Sequence, residues 1–93
     1  IYVDLDEYEK DTFEPLAFEQ FSQWALEDKK IFQKNTKTFE DIKRDSFSGI
    51  GKPEPLKYEL QGFWARRITD EHRLVYKVEE DLITILYCKY HYE

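Results

Sequence analysis

The chain is expected to fold as a single α+β domain, a two-helix hairpin packed on one face of a twisted antiparallel β-sheet. Three observations point there. After Pro15, apolar residues recur at three- and four-residue steps; beyond residue 55 they come in short runs broken by tight turns. The length of 93 residues has room for one hydrophobic core but not two. Helical pattern first and strand pattern after it suits helices layered on a sheet.

Residues 1–13 alternate loosely between apolar and acidic, as an edge strand does. Pro15 suits the first turn of a helix, where its missing N–H loses nothing. Leu16, Ala17, Phe18, Phe21, Trp24 and Ala25 then make one apolar face over residues 15–27. Ile31, Phe32, Asn35, Thr36, Phe39 and Ile42 predict a second helix over residues 29–44. Helix signals stop at Asp45, and residues 45–55 hold two glycines and two prolines, a loop with a restricted backbone. Strands are expected at 56–60, 63–68, 73–78 and 82–90, with turns at Gln61-Gly62, residues 69–72 and residues 79–81. Such tight spacing means antiparallel hairpins. The sheet face away from the helices is expected to carry many polar residues.

Composition narrows the function classes. Hydrophobic residues make up 41% and charged residues 37%, which excludes a disordered chain and an integral membrane protein. The longest strongly apolar stretch without charge, residues 82–88, falls far short of the ~20 residues that span a bilayer. No basic segment followed by an apolar one opens the chain, so no signal peptide is expected. There is no methionine, and a bulky Ile1 suits a processed or trimmed start. The single cysteine, Cys88, gives no internal disulfide and reads as a small core residue of a reduced, cytoplasmic protein. Sixteen aromatic residues, from 2 Trp, 7 Tyr and 7 Phe, supply the burial instead.

The net charge of −6 argues against a naked nucleic-acid binder. Most of it is concentrated, since residues 1–11 carry five acids and one base. From Lys52 to Arg73, five bases stand against four acids, so the fold can create a local cationic face.

Chemistry-bearing groups gather in the second half. Glu54 sits between Pro53 and Pro55, a stiff mount for a general base; the bland alternative is a solvated loop acid. His91 is suited to proton transfer near neutral pH, or is a frayed terminal residue. His72, beside Asp70 and Glu71, reads as a solvated turn histidine. Alternation over residues 63–68 turns Trp64 and Arg66 one way and Phe63, Ala65 and Arg67 the other. At least one arginine then projects from the face opposite the helices. With Arg73 these arginines suit phosphate oxygens, or surface ion pairs with Asp70 or Glu71. No Cys/His cluster has metal-ligand spacing, and Gly49-Ile50-Gly51-Lys52 lacks the full P-loop pattern. A carboxylate base, a histidine acid, arginines and flat rings together meet the needs of metal-independent RNA cleavage.

Four blocks carry a more specific signal: Gly51-Lys52-Pro53-Glu54-Pro55-Leu56-Lys57; Leu60 with Gly62-Phe63-Trp64 and Arg66-Arg67-Ile68-Thr69; Glu71-His72-Arg73-Leu74-Val75-Tyr76; and Tyr90-His91-Tyr92. In order and spacing they resemble the YoeB (Txe) branch of the RelE-like toxins, with Trp24 matching a family tryptophan. The resemblance implies a microbial-RNase (RelE-like) fold over residues 1–93, with residues 1–8 as an acidic N-terminal extension. It implies a toxin of a toxin–antitoxin pair that cleaves mRNA in the ribosomal A site and inhibits translation, without a metal or other cofactor. Carried over, Glu54 is the general base, Arg73 the phosphate stabiliser and His91 the general acid. Tyr92 assists at the scissile nucleotide, and Lys52, Lys57, Arg66 and Arg67 are supporting basic groups. The implied partners are a YefM-like antitoxin with an acidic, partly disordered tail, the ribosome with its mRNA, and a second copy in a homodimer; no membrane is implied. The chain departs from the family at Ser48 and Ile50, where Glu and Lys are usual, and at the additional Glu93. Those departures keep open a catalytically weak homologue acting as an antitoxin-binding co-repressor module. An RNase that needs no ribosome is a third reading.

Overall fold

The computed structural model describes residues 10–80 and 82–90; the expectations for residues 1–9 and for His91, Tyr92 and Glu93 lie outside them. A short strand, β1 (Lys10–Phe13), runs into helix α1 (Pro15–Glu27), with Pro15 in its first turn. Helix α2 (Lys29–Arg44) follows after one residue. That residue, Asp28, ends one helix and caps the next. Its backbone is extended, its N–H donates to Trp24 O, and its carboxylate accepts from the Lys30 and Ile31 N–H groups at 3.1 and 3.2 Å. The capping carboxylate satisfies N–H groups that a helix start otherwise leaves unpaired. Lys43 and Arg44 in the last turn of α2 suit the negative end of its dipole.

Strands β2 (Glu54–Pro55), β3 (Trp64–Arg67), β4 (Arg73–Glu79) and β5 (Leu82–Tyr87) complete a five-stranded sheet of order β1-β5-β4-β3-β2. The α+β class and the helical hairpin are as predicted. The sheet is mixed, however, because β1 pairs parallel with β5, from Lys10 opposite Leu82 to Phe13 opposite Ile85. The Glu14 N–H also donates to Ile85 O, at the point where the chain turns up into α1. The whole domain then serves as the crossover that a parallel pair requires.

The main core lies between helices and sheet. Ala17 and Trp24 of α1 and Ile42 of α2 pack with Ile68, Leu74, Tyr76, Ile83, Ile85 and Cys88. Phe13, Phe21, Phe32 and Phe39 interlock beside them at centroid separations of 4.8–5.5 Å. Thr38, not Thr36, faces inward from α2. Cys88 is buried as expected, and burial pushes its thiol up to about 12.

The opposite sheet face is more apolar than expected. Leu56, Ala65 and Val75 are buried there, with Leu60, Phe63, Leu86 and Tyr87 packed against them. Two local departures create this patch. The expected strand at 56–60 is replaced by a turn of 3-10 helix, Tyr58–Leu60. Tyr58 has φ 58°, which no strand accommodates, and the turn folds back so that the Leu56 N–H meets Phe63 O. A bulge also interrupts the β4–β5 register, with Val75 opposite Tyr87 and Tyr76 opposite Ile85. The additional residue, Leu86, joins Tyr87 in this second cluster.

Candidate functional site

Glu54 of β2 lies opposite Ala65 of β3, and Ala65 opposite Val75 of β4. Cross-strand partners share a face. Ala65 and Val75 belong to the cluster away from the helices, so Glu54 projects on that open face. Two residues along, Arg67 pairs with Arg73, and the period of two returns both to the same face. From strand spacing and rise, the Glu54 and Arg73 backbones stand roughly 12 Å apart. Side chains of that length can approach a phosphodiester between them. Residues Glu54, Pro55, Leu56, Lys57, Tyr58 and Leu60 line a groove of about 520 Å³ beside this patch. Lys52 and Lys57 are exposed on its approaches. Lys52 and Tyr58 both have positive φ, at 50° and 58°, so two side chains around the patch are held by a constrained backbone.

Arg73 is oriented by the turn that precedes it. Its Nη1 donates to the carbonyls of Thr69, Asp70 and His72 at 2.7, 3.2 and 3.1 Å. These are main-chain acceptors, in place of the Asp70 or Glu71 carboxylates that a surface ion pair would use.

Arg66 departs from its expected place among the exposed basic groups. It is fully buried on the helix side. All five guanidinium donors are used: Nε on Tyr76 Oη, Nη1 on Asp41 Oδ2 and Ile50 O, Nη2 on Asp45 O and Ser48 O, at 2.7–3.2 Å. The Tyr76 hydroxyl donates onward to Ser46 O at 2.7 Å, and burial raises its pKa, keeping that proton in place. The Arg66 hydrogen bond, with help from Arg44 and the Ile50 N–H, holds the Asp41 carboxyl at about 2. One arginine therefore pins residues 45–50, the loop that leads to Lys52 and Glu54. Ser48 and Ile50 meet Arg66 through their backbone carbonyls. Gly49 is needed because a Cβ there would run into the Asp41 carboxylate. Gly51, at φ 80°, lets its carbonyl accept from the Arg67 N–H at 2.6 Å.

His72 also departs from its expected place. It is buried, stacked edge-on against Trp24 at 4.7 Å, with its Nδ1 accepting from the Tyr90 N–H at 2.7 Å. The Thr69 hydroxyl accepts from the Glu71 and His72 N–H groups, which turns the histidine inward. Trp24, expected on the apolar helix face, and Gln20, which the sequence did not single out, complete the set around the end of the last strand. Their spacing of four residues was visible; their buried polar contacts with the end of the last strand were not.

The family model described as "YoeB-like toxin of bacterial type II toxin-antitoxin system" matches residues 13–92. The chain belongs to the YoeB family of type II toxins. It is 52% identical over 80 residues to Toxin YoeB of Mycobacterium bovis, covering 86% of this chain and 94% of that one. Toxin YoeB of Escherichia coli is 49% identical over 76 residues, covering 82% and 90%. Among solved structures, a YoeB dimer from Staphylococcus aureus superposes with TM-score 0.84 at 45% identity, over 91% of this chain and 99% of that one. A heterotetrameric YoeB–YefM toxin–antitoxin complex from the same organism gives 0.83 at 46% identity, over 90% and 98%. The YoeB match spans the hairpin, the pinned loop and the open face alike. Among the described residues, no helix is long and apolar enough to cross a membrane.

Proposed function

We propose that this YoeB-family toxin is a ribosome-dependent endoribonuclease that cleaves mRNA in the A site and so inhibits translation in the cytoplasm. The observation that carries the reading is the shared face of Glu54, Arg67 and Arg73 on three adjacent strands. The Glu54 carboxylate takes the proton from a ribose 2′-hydroxyl, and the 2′-oxygen attacks the adjacent phosphorus. Arg73, supported by Arg67, Lys52 and Lys57, balances the charge that grows on the phosphoryl oxygens. His91 gives a proton to the departing 5′-oxygen, with Tyr92 beside the scissile nucleotide, leaving a 2′,3′-cyclic phosphate. No step calls for a metal or other cofactor.

A chain of net charge −6 has little attraction of its own for RNA, so the ribosome supplies the binding and free RNA is a poor substrate. The solved relatives support two further partners, a YefM-like antitoxin and a second copy of the chain. An acidic antitoxin tail suits Arg67 and Arg73.

The test is cell-free translation of a defined mRNA, with RNA ends mapped after adding the protein or its His91→Ala variant. Cuts at ribosome-occupied positions that fade in the variant are expected. Cuts that persist would remove His91 from the mechanism. No cuts by the folded parent would favour the antitoxin-binding module over the enzyme.

A further inference from the structure

β5 ends at Tyr87, yet each of the next three residues is bonded to the body of the protein. The Cys88 N–H donates to Gln20 Oε1 at 2.8 Å, and its carbonyl accepts from Trp24 Nε1 at 2.9 Å. Lys89 Nζ reaches Gln23 Oε1 and Glu27 Oε1 at 2.9 and 3.1 Å and lies 4.8 Å from the Trp24 ring. The Tyr90 carbonyl accepts from the Arg73 N–H at 2.9 Å, while its own N–H donates to His72 Nδ1. His72 is 7% exposed, wedged between Trp24 and the Tyr90 ring, whose centroid is 5.4 Å away.

A backbone N–H is always a donor, so His72 Nδ1 holds a lone pair and the ring hydrogen of the neutral form sits on Nε2. The Nε2 edge faces Glu71 Oε1 at 3.9 Å. Tyr90 is thus gripped at both main-chain polar groups, its N–H by His72 and its carbonyl by the backbone N–H of Arg73. The next residue in the chain is His91.

We propose that His72 is a positioning residue for cleavage: its Nδ1 fixes the Lys89–Tyr90 peptide, and so the residue from which the chain continues to His91. This rests on the reading of His91 as the general acid. Displacing an acid by about 1 Å costs on the order of a hundredfold in rate, so one hydrogen bond on the residue before it has a large effect on turnover.

Three substitutions separate the acceptor from the ring. His72→Asn sets a carbonyl oxygen close to where Nδ1 was; His72→Gln sets it near Nε2; His72→Phe keeps the ring and has no acceptor. Cleavage on translating ribosomes is measured with each, as kcat and KM separately. Amide hydrogen exchange at Tyr90 is followed by NMR. The Phe and Gln variants are expected to lose roughly 10–100-fold in kcat with KM little changed, and to lose protection at Tyr90. Asn is expected to restore both to within about threefold of the parent. Should the Phe variant fail to fold, the Asn and Gln pair still decides the matter. Equal kcat in all variants of an active parent, or Tyr90 protection that survives in Gln, overturns the proposal. A folded parent that never cuts overturns the enzyme reading and the catalytic consequence with it, while exchange at Tyr90 separately reads the anchor.

Discussion

Replacing Arg66 by methionine is expected to destabilise the free protein, before any RNA or ribosome is present. Methionine is close in length and keeps the apolar stem packed. It leaves five acceptors on three different segments without their donor: Tyr76 Oη, Asp41 Oδ2, and the carbonyls of Ile50, Asp45 and Ser48. Hydrogen bonds to a charged group contribute ~1.5–3 kcal/mol each. They do not add when they share one side chain, and the exposed loop carbonyls regain water. Removing one partner of a buried ionic network typically costs ~3–5 kcal/mol, and that is the expected loss for Arg66→Met. In a domain of this size each kcal/mol shifts Tm by about 4–8 °C, so the transition should fall by roughly 12 °C or more. Urea denaturation at neutral pH, read by tryptophan fluorescence and circular dichroism, measures it. A double-mutant cycle with Tyr76→Phe should show coupling above about 0.5 kcal/mol, because the two side chains share one network. A loss below about 1 kcal/mol, with cleavage abolished in a normally folded variant, would refute the structural role and return Arg66 to the RNA.

Three further perturbations follow from the same geometry. Asp28→Ala removes the carboxylate that caps α2 at the helix corner; a loss of about 1 kcal/mol is expected by denaturant melts, and an unchanged midpoint would count against the cap. Gly51→Ala forces a Cβ to within 2.8 Å of Arg67 O at a positive φ. It should cost more than about 1 kcal/mol and disturb the loop before Glu54, and a variant as stable and active as the parent would contradict this. The carboxyl of Asp41 has its folded pKa depressed to about 2 from 3.8. Its contribution is therefore fully present above the unfolded value and lost as pH falls from 3.8 toward 2. Acid titrations should show Asp41→Asn flattening the stability profile in that window, and identical slopes would exclude the carboxylate as the acid-sensitive group.

Both helices were legible because their signals are local. The apolar steps from Ala17 to Trp24 and from Ile31 to Ile42 recur within a few turns, and Pro15 and Asp45 mark ends that involve only neighbouring residues. The strands around Arg66-Arg67 and Arg73 were legible for the same reason. Residues 56–60 read as a strand because Leu56, Tyr58 and Leu60 alternate; alternation carries no information about the sign of φ, and Tyr58 at 58° makes the segment a turn.

What the sequence determined by itself is the set of groups and the family pattern: Glu54 between prolines, Arg67 beside Arg66, Arg73 after His72. What only the tertiary structure decided is which of them face the open sheet and which the interior. Strand parity says that Arg66 and Arg67 point oppositely. The inner side is chosen by α2, whose Asp41 stands where a guanidinium can meet it from 25 positions further along the chain. The same holds for His72, which became an anchor because β4 carries its turn beneath Trp24 and next to Tyr90. The parallel pairing of β1 also depends on where α1 finds sheet to cover. Each outcome is set by burial and hydrogen bonding between residues distant in sequence, and local pattern carries no trace of such contacts.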